Sequence, residues 1–220
     1  MHRTPALDVV IPTFDRPAAL AVTLTSLSAQ TFRDFRLVIS DQSEDCDVFE
    51  AGEVQAALNV LKIHGHRIEL HRHLPRKGIA EQRAFMLDQV EAPYVLYLDD
   101  DLILEPWVIS LMMDSLQAEG CGFVGSAVIG LSYLEDVRPG EQAFEFWQGP
   151  VTPETVLPDT PAWERYRLHN AANLYHVQTR LGIGPENPRR YKVAWVGGCV
   201  LYDVAKLKEA GGFSFWTEIP

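Results

Sequence analysis

YVLYLDDDLILEP, residues 94–106, carries five mostly apolar residues into three consecutive aspartates and then returns to apolar residues. The first five have the β-branched and aromatic content of a buried strand. Asp99, Asp100 and Asp101 then stand where that strand ends. Two unit charges about 4 Å apart repel by ~4 kcal/mol at an effective dielectric of ~20, and by ~1 kcal/mol in water. Three carboxylates at a strand tip therefore need full hydration or a counter-charge. A solvated loop, with one aspartate capping a helix that begins near Pro106, meets that need in one way. A bound cation meets it in another, and the rest of the chain has to decide.

At 220 residues the chain is long enough for one large domain or two small ones, with a real core. Hydrophobic residues make up 47% and charged residues 22%, the balance of an ordinary globular protein. The formal net charge is -11, and no basic run exceeds two residues, which argues against nucleic acid as a partner. An anionic ligand would need a local cation or local arginines. Cys46, Cys121 and Cys199 are odd in number and far apart, without a C-x-x-C pair, so a reducing compartment is expected. MHRTPALDVVIPTF lacks the apolar stretch of a signal peptide, and nowhere do 18 apolar residues run together. The expectation is a cytoplasmic chain without a transmembrane segment, peripheral to a membrane if it meets one.

Outward from the aspartates, strands alternate with helices. LDVVI (7–11), FRLVIS (35–40), IELHRH (68–73), YVLYL (94–98) and CGFVGSAV (121–128) read as strands. Helices are expected from Pro17, over 48–61, over 78–90 and from Pro106 to Gly120. Strands apolar on both faces imply a mostly parallel sheet between helix layers, an α/β fold. Such sheets bind ligands beyond the carboxyl ends of their strands. Thr13 to Arg16, Asp41 to Asp45 and Asp99 to Asp101 would then gather along one edge. Residues 131–192 break the rhythm, being rich in proline and aromatics. Order returns at KVAWVGGCVLY (192–202), strand-like around a glycine pair, and DVAKLKEAGG (203–212), a short helix closed by Gly211.

Four stretches, VVIPTFDRPAAL, LVISDQSED, GIAEQRAFMLDQVEAPYVLYLDDDL and GGCVLYDVAKLKEAGGF, together resemble the family 2 glycosyltransferases of the GT-A fold, in that family's order. The resemblance implies a mostly parallel, Rossmann-like central sheet. It implies a donor half, 1–130, and an acceptor-side half, 131–220, of one domain. The implied activity is metal-dependent, inverting transfer of a sugar from a nucleoside-diphosphate sugar, UDP-linked above all, to a hydroxyl of a saccharide, lipid or other acceptor. Pro12 and Thr13 fall where the family meets the nucleotide base, with Phe14 and Arg16 in the same turn, and Asp41 falls where an acid accepts hydrogen bonds from that base. Gly78 and Arg83 match a G-x-x-x-x-R helix near the nucleotide. Asp99 and Asp101 match the D-x-D carboxylates that hold Mg²⁺ or Mn²⁺, with Asp100 beside them on the nucleotide side. Trp195, Gly197 and Gly198 fall on the acceptor side.

A hard cation with carboxylate and water ligands suits a diphosphate leaving group on chemical grounds alone. It also answers the repulsion among the three aspartates. Two departures stand out. The family often has Asn at the position of Asp15, whose carboxylate here could pair with Arg16 or with Arg76 and Lys77, or could disturb the base site. The family's acidic catalytic base follows the GGF element, whereas this chain stops seven residues after Phe213. The base is expected beyond Pro220, the chain being a fragment, with Glu218 the remaining acid in the tail.

Other constellations carry less. His71 and His73 would share one strand face, but no acid or cysteine at ligand spacing accompanies them, so a polar strand end is the plainer reading. Arg189 and Arg190 could meet phosphate or simply solvent. Trp147 and Trp195 could stack on a sugar. Two other functions stay open: nucleotidyl transfer, although IPTFDRP lacks a glycine-rich phosphate loop, and a non-catalytic nucleotide- or glycan-binding domain.

Overall fold

The first strand of the computed structural model, β1 (Leu7–Thr13), is buried along its whole length, as is its parallel neighbour β2 (Phe35–Asp41). The structure describes residues 3–130, 134–170 and 172–213. β3 (Ile68–Arg72) and β4 (Tyr94–Leu98) extend the parallel set on either side. With β5 (Phe123–Gly125) and β6 (Cys199–Asp203) they form a six-stranded sheet in the order β3-β2-β1-β4-β6-β5. The sequence of β3, IELHR, is more polar than its neighbours because it is an edge strand and only half-buried. β6 departs from the parallel set by running antiparallel to β4, with Cys199 opposite Leu98. That reversal places the start of β6 at the carboxyl end of β4.

The helices begin where local chemistry allows. α1 (Pro17–Ser28) opens on proline, whose missing N–H costs nothing at a first turn, and buries Leu20, Leu24 and Leu27. Gly52 starts α2 (Gly52–Ile63) and does not interrupt it; a short 3₁₀ turn at Val48–Glu50, capped by Asp47, precedes it. α3 (Ile79–Asp88) departs from a simple amphipathic pattern, since Ile79 is exposed while Glu81 and Gln82 are buried. Buried polar groups need partners, so this helix start must meet polar groups. α4 (Val108–Glu119) starts two residues after Pro106. Its early N–H at Ile109 donates to the Gln30 side chain at 3.3 Å, so Gln30 serves this helix start.

Two compact units divide the chain. The first holds residues 3–118, 122–124 and 198–213, and so contains β1 to β4 and β6. The second holds Glu119–Cys121 and Gly125–Gly197. Inside it lies α5 (Asn173–Leu181), absent from the sequence reading because only Leu174 and Val177 mark its buried side; both pack with Leu168. α6 (Val204–Glu209) returns to the first unit, with the Asp203 carboxylate accepting from the Lys206 N–H at 3.1 Å. Gly211 and Gly212, both at positive φ, follow it. Cys199 is buried in β6 with its sulfur 3.9 Å from that of Met112.

Candidate active site

The carboxyl ends of β1, β2 and β4 converge within the first unit. Thr13 and Asp41 are register partners on β1 and β2, so their side chains belong to the same edge of the sheet. The hydroxyl of Thr13 donates to Asp100 at 2.7 Å. Asp100 thus turns inward, with a side chain only 6% exposed, while Asp99 and Asp101 face outward at 41% and 44%. Burial pushes the Asp100 carboxyl above its usual range, and the bonds from Thr13 and Arg16 work against that push.

The counter-charge for these aspartates comes from two arginines. The Arg16 guanidinium reaches Asp100 at 3.0 Å and Asp101 at 2.7 Å, so one planar group spans two carboxylates. Arg83, on α3, reaches Asp99 at 3.1 Å. The hydrogen bond to Asp101, the charge of Asp100 and the other acids of the triad raise the Arg16 pKa. The sequence reading looked to hydration or a cation, because no arginine adjoins DDD. Arg16 lies 84 and 85 residues from Asp100 and Asp101, and Arg83 lies 16 residues from Asp99.

A strained turn aims Arg16. Asp15 adopts φ 52°, the left-handed region that Asn and Asp tolerate better than most side chains. Its N–H donates to the Ser43 hydroxyl at 2.8 Å. Asp15 pairs with none of the basic residues the sequence offered: its carboxylate takes the Cys46 thiol at 3.5 Å, and Arg76 lies over the Phe14 ring at 3.8 Å. Pro12 is buried in β1 immediately before Thr13.

Asp41 is fully buried. Its Oδ1 accepts from both the N–H and the hydroxyl of Ser43. Its Oδ2 lies 3.2 Å from the Arg72 guanidinium but outside hydrogen-bond alignment, so that oxygen keeps an unused acceptor. Arg72 also donates to the carbonyls of Ser43 and Cys46, which ties the loop after β2 to the end of β3. The buried polar start of α3 finds its partners here: Gln82 donates to the carbonyl of Ser40 at 2.7 Å and to that of Thr13 at 3.4 Å, and Glu81 receives His73 and Gln42. Gly78, at φ 93°, sends its N–H to the Gln42 side chain at 3.3 Å. Gln42 and Ser43 fall inside the Asp41 to Asp45 stretch expected at this edge, whereas Arg72 and Gln82 had no expected place in it. Arg72 is the register partner of Asp41, which only the strand pairing reveals. His73 stacks on Phe85 and His71 meets that ring edge-on.

The antiparallel β6 adds one more group: the Gly198 carbonyl accepts from the Asp99 N–H at 2.7 Å, so the loop before β6 shapes the aspartate turn. Gly197 and Trp195 belong to the second unit. There the Trp195 ring is half-exposed, 5.5 Å from His169, and would crowd any Cβ at Gly197 at 3.1 Å. In the same unit a cavity of about 490 Å³ is lined by Phe144, Phe146, Trp147, Glu145, Thr152 and Lys192. Lys192 lies over the Trp147 ring and pairs with Glu145 at 2.6 Å, Arg189 covers Phe146, and Arg190 pairs with Glu119. Among the described residues, no three His, Cys, Asp or Glu side chains converge as a metal cage. Glu218 lies outside the described residues.

Residues 8–173 match the family model described as "Glycosyl transferase family 2". The chain is 26% identical over 126 residues to the GalNAc(5)-diNAcBac-PP-undecaprenol beta-1,3-glucosyltransferase of Campylobacter jejuni, a match covering 57% of this chain and 39% of that protein. The mannosyltransferase PcManGT of Pyrobaculum calidifontis, solved with GDP-Man and Mn²⁺, superposes with a TM-score of 0.56 at 14% identity, over 96% of this chain and 48% of its own. S. aureus TarS with UDP-GlcNAc gives a TM-score of 0.55 at 16% identity, over 93% and 47%. These likenesses show the GT-A fold, and this chain spans about half the length of the structures it resembles.

Proposed function

Because the chain belongs to glycosyl transferase family 2, we propose that it is a glycosyltransferase that moves a sugar from a nucleoside-diphosphate sugar, UDP-linked, to an acceptor hydroxyl. The observation that carries this reading is the convergence of Thr13, Arg16, Asp41, Arg83 and the three aspartates at the carboxyl ends of parallel strands. Residues 1–130 form the donor half. Asp41 offers its unused Oδ2 to a base N–H beside Pro12, Thr13 and Phe14. Gly78 lies on the nucleotide side, and Arg16, Arg83 and Asp100 shape the place of the diphosphate.

Asp99 and Asp101 fit a small hard cation, Mg²⁺ or Mn²⁺, because both are outward carboxylates and phosphate oxygens with water can complete the shell. A cation held there supplies positive charge to the departing diphosphate. The acceptor oxygen bonds to the anomeric carbon as the carbon–oxygen bond to the diphosphate breaks, and that electron pair leaves with the diphosphate. The acceptor proton goes to an acidic base, Glu218 being the remaining acid in the tail, and the single displacement inverts the configuration. Residues 131–220, with Trp195, Gly197, Gly198 and the aromatic cavity around Trp147, form the acceptor side. The Campylobacter relative is named for an undecaprenol-bearing substrate, which supports a saccharide on a lipid carrier and a membrane-peripheral location, while the cytoplasmic location rests on the sequence pattern alone. No described helix is long and apolar enough to cross a membrane.

Isothermal titration with UDP tests the donor side. Binding in Mn²⁺ is expected to be at least about tenfold tighter than with a chelator, since the chain is acidic and the ligand anionic. Equal affinities would remove Asp99 and Asp101 from the metal reading.

A further inference from the structure

We propose that Arg16 is an exchangeable counterion: its guanidinium neutralises Asp100 and Asp101 in the free protein, and leaves Asp101 for the diphosphate when the cation enters. The inference rests on the metal reading of Asp99 and Asp101. Three features of the site support the exchange.

First, the two ends of the bridge differ. Asp100 is buried and anchored by Thr13, whereas Asp101 is about half-exposed and its recorded side-chain partner is Arg16. The Arg16 side chain is itself 50% exposed. One contact can therefore act as a pivot while the other opens toward solvent.

Second, the occupants conflict. The guanidinium lies 2.7 Å from Asp101 Oδ2. A Mg²⁺ or Mn²⁺ ion bonded to that carboxylate at about 2.1 Å would bring a second positive group to the same oxygen pair. Asp101 could hold both only with two positive groups side by side, so the incoming cation weakens the Arg16 contact by repulsion. Arg83 meets a different carboxylate, Asp99, through Oδ1, and that side chain is itself 41% exposed.

Third, the released arginine has somewhere to go. It sits at the last residue before α1, where the helix N-terminus also favours an anion. A guanidinium freed at this point meets a diphosphate in the fork geometry it matches best. The cation and the nucleotide then help each other bind. The cation frees Arg16, and the diphosphate gives it a new partner, which makes the coupling reciprocal.

The test separates the two affinities. Mn²⁺ is titrated alone into the parent, Arg16→Gln and Arg16→Lys, and UDP is then titrated at saturating Mn²⁺. In Arg16→Gln, Mn²⁺ alone should bind about fivefold tighter and UDP about fivefold weaker, the scale of a half-exposed ion pair. Arg16→Lys, which keeps the charge but loses the fork, should fall between. A merely structural role for Arg16 would weaken both. If the parent binds UDP in a Mn²⁺-dependent way but Arg16→Gln leaves Mn²⁺ affinity unchanged or lowers it, the exchange is wrong. If parent UDP binding ignores Mn²⁺, the metal reading falls and the exchange with it.

Discussion

Arg36→Ala is expected to cost about 3–5 kcal/mol of folding stability, the range for breaking one side of a buried ion pair. Arg36 and Asp8 are 1% and 0% exposed and meet in a two-pronged contact at 2.7 and 2.8 Å. They are register partners near the amino ends of β2 and β1, at the opposite end of the sheet from the aspartates. Arg36 also donates to the Gln89 carbonyl at 2.6 Å, and Asp8 Oδ2 accepts from the N–H groups of Glu91 and Ala92. The network thus ties α3 and the start of β4 to the two central strands. Removing the guanidinium leaves a buried carboxylate with backbone donors only. Urea unfolding followed by circular dichroism measures the loss, and a change below about 1 kcal/mol would contradict it.

Asp41→Asn is expected to weaken UDP binding about ten- to a hundredfold, the equivalent of ~1.5–3 kcal/mol for a charged hydrogen bond. The direction follows from how Asp41 is held. Oδ1 accepts from the Ser43 N–H, a donor that only an oxygen can satisfy. An asparagine must therefore keep its oxygen there, which places the amide NH₂ where Oδ2 was. The free acceptor becomes a donor, facing Arg72 on one side and the proposed base on the other. Requirement for Mn²⁺ should survive, because Asp41 meets neither Asp99 nor Asp101 among the recorded contacts. Unchanged UDP affinity in a folded Asp41→Asn protein would move the base away from the end of β2.

The α/β class and the alternation of elements were legible in the chain. LDVVI, FRLVIS and YVLYL are apolar on both faces because both faces of a central parallel strand are covered, and β1, β2 and most of β4 are buried as that pattern requires. Pro17 and Asp203 marked helix starts by chemistry that acts over a single turn, and the structure keeps both. Because strand ends in such a sheet share an edge, the gathering of Thr13, Asp41 and the aspartates also followed from local pattern.

What spacing could not supply was the pairing across elements. Arg16 meets Asp100 and Asp101, Arg36 meets Asp8 and Glu69, and Arg72 meets Asp41, each joining separate strands or loops. A charge shows its sign in a sequence but not its partner, since the partner depends on strand order and register. The same holds for the direction of β6, which brought Gly198 to Asp99, and for the left-handed turn at Asp15, which aims Arg16. Local propensity acts within a few residues and is written in the chain. The neutralisation of three adjacent carboxylates acts through space, and only the folded sheet decides which arginines come close enough to do it.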